Sequence, residues 1–135
     1  MADQAARTIN YRVQAPAVAT AGNDSSNPVK VIEAGVVTAV NYTPIATITG
    51  AATNNRTLNV INKGPTGALS TSVATLNYAN AVNTSAWNPQ AIALSGTAAN
   101  LVVAAGDVLQ WQSLHVGTGI TDPGGEVEII VTRTA

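Results

Sequence analysis

Few residues in this chain are able to do chemistry. The only histidine is His115. Ser113 lies two residues before it, so on an extended strand both point to one face. Glu126 and Glu128 stand on what would be a neighbouring strand. Nucleophilic catalysis needs a base beside the nucleophile and a third group that orients the base. No strained nucleophile elbow or oxyanion loop accompanies the pair, so His115 reads as a strand-end histidine. The acids are Asp3, Asp24, Glu33, Asp107, Asp122, Glu126 and Glu128. Among them only Glu126 and Glu128 share a strand face, and a glycosidase needs two carboxyls opposed across a cleft. Asp107, Asp122, Glu126 and Glu128 would form a calcium corner if their turns converged. No EF-hand or Gly-Asp repeat supports that, and they read as turn aspartates and a solvated face. Gly117-Thr118-Gly119 and Asp122-Pro123-Gly124-Gly125 lack the lysine and the following helix of a phosphate loop. They read as turns, with proline presetting φ and glycine supplying positive φ. No catalytic residue, metal ligand or cofactor is assigned, and a non-enzymatic protein is expected.

The two tryptophans divide. Trp111 lies mid-strand between Gln110 and Gln112, and its expected role is to fill a core that has no Phe. Trp87 lies in a loop beside Asn88 and Pro89. It caps the end of the fold, anchors a protein interface or stacks on a sugar; interface hot spots are rich in tryptophan.

The elements that must position these residues are strands. The chain has 135 residues, one domain's worth, and can bury roughly two-thirds of its unfolded surface without staples. It has no cysteine, so neither disulfides nor thiolate metal sites are available. A net charge of -1 with 10% charged residues supplies no row of cations for phosphates, so nucleic-acid binding is not expected. The N-terminus has no basic segment followed by an apolar run. No stretch approaches the ~20 apolar residues of a membrane helix, so neither export nor a membrane partner is expected. Sequons at Asn23, Asn41, Asn55 and Asn83 are read as incidental to an Asn- and Thr-rich chain.

Residues 1–6 are small and polar and are expected to be mobile. Residues 7–13 alternate, with Ile9, Tyr11 and Val13 opposite Thr8, Asn10 and Arg12. They form a strand or an arm that pairs only with a partner. Residues 14–28 read as a linker, and the domain is expected to begin at 29. Residues 29–40 read as one strand broken or bulged at Ala34-Gly35, and Pro44 opens the next. Leu58 and Val60 alternate within 56–62. The anchors of 68–78 switch parity, which predicts a bulge near Val73 to Leu76. Residues 100–132 read as a long hairpin, with Leu109, Trp111, Val127, Ile129 and Val131 as its buried face. About eight strands, turns between them and no helical period predict an all-β protein. The expected form is a two-sheet β-sandwich, a jelly roll foremost and a closed barrel as the alternative. It would span residues 29–135, with an extended arm at 1–28.

Residues 106–132 also carry a family resemblance. Gly106-Asp107 before an apolar strand, Trp111, Val116-Gly117-Thr118-Gly119, Asp122-Pro123-Gly124-Gly125 and the final β-branched strand resemble the closing hairpin of capsid decoration proteins. The likeness is to those of tailed bacteriophages that infect actinobacteria. It covers about a quarter of the chain at motif level. It implies a jelly-roll homotrimer on the capsid exterior of the virion, partnered with the major capsid protein and cementing capsomers. It also implies that the N-terminal arm contacts the shell, with Ile9, Tyr11, Arg12 and Val13 as contacts beside Trp87. A fibre tip or a receptor- or carbohydrate-binding sandwich is the alternative.

Overall fold

The computed structural model describes residues 7–133. The segment 1–6, expected to be mobile, lies outside the described residues, as do the last two. Twelve strands and one short 3₁₀ turn follow in order among the described residues. They are β1 (Thr8–Ala15), β2 (Asp24–Lys30), β3 (Gly35–Pro44), β4 (Ile48–Thr49), β5 (Asn55–Asn62), β6 (Thr71–Asn77), β7 (Asn83–Thr84), β8 (Gln90–Ala91), β9 (Ala93–Leu94), the 3₁₀ turn (Ala98–Leu101), β10 (Val102–Val103), β11 (Val108–Val116) and β12 (Gly125–Arg133). The protein is all-β, as the alternation predicts.

Two antiparallel sheets pack face to face as a β-sandwich. One runs β1-β12-β3-β10, with β8 also on β3; the other runs β2-β11-β5-β6-β9; β4 and β7 form a small separate ribbon. The apolar residues of each strand recur at every second position and meet between the sheets. Leu58, Val60, Leu109, Trp111, Val127, Ile129 and Val131 are all buried, and Tyr11, Val37, Val40, Tyr42, Val73, Tyr78 and Ile92 are among those that join them in the core. Trp111 packs against Tyr42 from the facing sheet, ring centroids 5.2 Å apart and tilted by 41°. Val73 is the extra residue of a bulge, since Val60 pairs with Ala74 and Ile61 with Ser72. That is where the parity switch predicts one.

Three expectations are corrected. The stretch 100–132 is not a hairpin. β11 pairs with β2 and β5, whereas β12 pairs with β1 and β3 in the other sheet. The connecting loop crosses the sandwich, and the two apolar faces oppose each other through the core. Second, residues 29–40 are not one broken strand: β2 and β3 lie in different sheets, and Pro44 ends β3 instead of opening a strand. Third, the described part of 1–28 is not an arm lying apart from the domain. β1 pairs with β12 residue for residue from Thr8↔Thr132 to Ala15↔Gly125, and β2 runs across the expected boundary at 28. The reason is the alternation of β1 itself. Tyr11 and Ala15 are buried, and Ile9 and Val13 pack against the core, so detaching β1 would expose apolar surface at about 25 cal/mol per Å².

Candidate interaction surface

The antiparallel register sorts the loops to two ends. The connections 16–23, 45–54, 78–89 and 117–124 lie at one end, and the connections 31–34, 63–70 and 95–107 at the other, with Arg7 and Arg133.

At the first end the polar residues form a buried network. Arg56 lies in phase with Leu58 and Val60 on β5, so its side chain points inward, and it is 1% exposed. Its guanidinium donates to the carbonyls of Ala19 (2.9 Å), Thr20 (3.2 Å), Gly22 (3.1 Å) and Ile120 (2.8 Å), and to Ser113 Oγ (3.2 Å). Ser113 Oγ donates to Asp122 Oδ2 at 2.6 Å; the Tyr42 hydroxyl donates to Oδ1 at 2.5 Å and the Gly124 N–H at 3.0 Å. Asp122 is fully buried, and its two carboxyl oxygens accept these three bonds. Burial holds the Arg56 pKa below its ordinary value, with the Asp122 charge opposing. Burial, then the Asp122 charge and hydrogen bond, push the Tyr42 hydroxyl well above its ordinary value. The network stitches loop 16–23 to loop 117–124, which also exchange backbone bonds between Val18 and Asp122. Gly119 permits the approach: it has φ +79°, and a Cβ there would meet the Thr20 carbonyl oxygen.

The residues weighed for chemistry are therefore committed or dispersed. Ser113 is turned into the core towards Asp122, and His115 Nδ1 contacts the Gly117 carbonyl oxygen at 3.0 Å. Asp107 sits at the opposite end, where its Oδ2 accepts from Asn62 Nδ2 (3.1 Å) and the Ala104 N–H (2.9 Å). Glu126 is exposed on the outer face of β12. Glu128, on the same face, accepts from Asn10 and from Arg12 (3.1 Å). The four carboxylates of the suggested calcium corner do not converge, and no group of three metal-ligating side chains occurs among the described residues.

What this end does present is Trp87. The residue is 69% exposed, and its backbone is held at φ +64°, a region that costs a non-glycine residue about 1–3 kcal/mol. The loop is tied down: the Trp87 N–H donates to the Pro44 carbonyl (2.8 Å), Ala86 N–H to Thr47 Oγ1 (3.2 Å) and Asn88 N–H to the Ser85 carbonyl (3.1 Å). Ile45, 48% exposed, follows the proline that accepts that bond. Of the expected contacts, Trp87 and Arg12 are exposed. Tyr11 is buried and its hydroxyl accepts from the Ile32 N–H at 2.8 Å, while Ile9 and Val13 face the core, so these three are corrected to internal packing. Sequence reasoning missed Arg56 and Tyr42 and read Asp122 only as a turn aspartate; for Arg56 the available signal was its parity with Leu58 and Val60.

Comparison of the chain with protein-family models, curated proteins and solved structures finds no match.

Proposed function

We propose that this chain is a viral structural protein, a non-catalytic decoration protein that binds the outer surface of a bacteriophage capsid and stabilises it. It acts as a homotrimer, with the major capsid protein as partner and the capsid exterior of the virion as its location. The observation that carries the reading is Trp87, a large apolar side chain displayed on a tied-down, left-handed loop. Strained backbone is kept where the surroundings over-determine it, commonly at binding sites, and a rigid exposed tryptophan is the residue type that dominates protein interfaces. The bacteriophage assignment rests on the resemblance of residues 106–132. The strand order supports a jelly roll: first and last strands pair in one sheet, second and next-to-last in the other. Because β1 belongs to the sandwich, attachment is assigned to the Trp87 end. Multiple copies on one shell raise the effective concentration of each weak contact.

The test is co-sedimentation of the purified protein with undecorated capsids. Wild type should pellet with the shells, and Trp87→Ala should remain in the supernatant while keeping its melting curve. If wild type stays in the supernatant, the reading fails. A second reading, a fibre or carbohydrate-binding module, draws on Trp87 itself, an exposed indole on which a sugar ring would stack. It predicts a shift in Trp87 fluorescence with a glycan, and a glycan array without response removes it.

A further inference from the structure

We infer that the outer edge of β1 is a self-association site, at which β1 of a second copy adds antiparallel about a two-fold axis at Tyr11. β1 is the terminal strand of its sheet, eight residues long, in unbroken register with β12. The phase of the ladder follows from the bond of Arg133 N–H to the Arg7 carbonyl. It directs Ile9, Tyr11, Val13 and Ala15 at β12 and leaves the main-chain N–H and C=O of Thr8, Asn10, Arg12 and Gln14 pointing away from the sheet. No other described strand pairs on that side.

An open edge is a template for another strand, and folded proteins blunt edges with short strands, proline or bulges. The other edges here are blunted in just those ways. β8, β9 and β10 have two residues each, β2 carries Pro28 and a register break, and β6 is bulged at Val73. β1 is long, unbulged and free of proline, and its one charge, Arg12, is paired with Glu128 on the neighbouring strand. Its side chains also leave the edge clear: Asn10 and Arg12 lean onto Glu128, and Gln14 donates to the Gly125 carbonyl.

The occupant is a second copy because the strand is complementary to itself. With Tyr11 on the axis, the outward-pointing groups fall opposite one another, Thr8 to Gln14 and Asn10 to Arg12. Ile9 then meets Val13 on the inner face. Both are only partly covered within one chain, and the added strand would bury them further. Arg12 meets a neutral partner in this register, whereas a shift that set Arg12 against Arg12 would place like charges opposite. A two-fold contact cannot close a three-fold ring, so on a capsid it would link neighbouring trimers. It is independent of shell binding.

Sedimentation over a range of concentrations, with amide exchange read residue by residue, tests this on the full chain. The expected result is a reversible dimer in which the Thr8, Asn10, Arg12 and Gln14 amides gain protection with concentration. The Ile9, Tyr11 and Val13 amides should be protected throughout. Thr8→Lys with Gln14→Lys sets lysines opposite each other and should weaken association roughly 2- to 30-fold; Thr8→Lys with Gln14→Glu should strengthen it over the same range. Asn10→Pro should abolish it. A monomer at every concentration overturns the inference, as does an oligomer whose four edge amides stay unprotected. So does protection that appears only when capsid protein is added, or equal responses from the two lysine variants.

Discussion

The two ends of the sandwich handle their arginines in opposite ways. At the Trp87 end Arg56 and Asp122 are inside, and each hydrogen-bonding direction is met by a loop carbonyl, a hydroxyl or a backbone N–H. At the other end Arg7 and Arg133 flank Glu33 on the surface, Arg7 by a direct hydrogen bond and Arg133 at 4.0 Å. The first arrangement holds two long loops in one conformation, and the loop bearing the exposed tryptophan stands beside them. The second joins chain segments that β1 and β12 already hold. Buried charge is costly to remove singly, because its partners are left unpaired, whereas exposed ion pairs contribute little. The comparison teaches that the exposed tryptophan stands at the end whose loops are tied together by a buried arginine and aspartate.

The largest effect that would sharpen this contrast is at Arg56. Arg56→Met keeps much of the volume but leaves four loop carbonyls and Ser113 without their donor and Asp122 without its nearby cation. A loss of about 3–5 kcal/mol is expected in urea denaturation. If the loss is under about 1 kcal/mol, the end is not held by charge. Tyr42→Phe removes one charge-assisted bond to a buried carboxylate and should cost about 1.5–3 kcal/mol.

The same bond has a pH signature. Tyr42 and Tyr78 both have pKa values raised in the fold, chiefly by burial. The folded state therefore keeps protons that the unfolded chain releases above its ordinary tyrosine pKa of about 10. Their contribution is complete below that pH and is lost as pH rises beyond it. Alkaline unfolding should begin near there, and Tyr42→Phe should flatten the slope of stability against pH.

A smaller effect of opposite sign is expected at Trp87. Trp87→Gly relieves the left-handed backbone and should stabilise the isolated protein by about 1 kcal/mol while removing capsid binding. A destabilised variant would show that the indole holds its own loop rather than a partner. Smallest is Glu33→Gln at the opposite end, which should leave the thermal midpoint unchanged within error. A clear drop there would erase the distinction between the two ends.

Part of this was legible in the chain. Residues 7–13, 56–62 and 127–131 alternate apolar and polar side chains, and that local period set their inward faces whatever their partners. The bulge at Val73 was legible for the same reason, because an extra residue inverts parity. The interface candidate Trp87 could be picked out by type and by its place beside Asn88-Pro89, but not its left-handed backbone, which depends on the Pro44 carbonyl accepting its N–H.

By itself, then, the sequence determined strand character, the all-β class and which side of each strand turns inward, because a period of two is a property of neighbouring residues. Partnership is not. An alternating strand satisfies its apolar face against any sheet, so only the tertiary structure decided that β12 lies between β1 and β3 while β11 lies between β2 and β5. It alone placed Arg56 against carbonyls 34 and 64 residues away in sequence. Among the described residues it also left one edge of β1 unpaired, since which strand ends a sheet is settled by what every other strand has already joined.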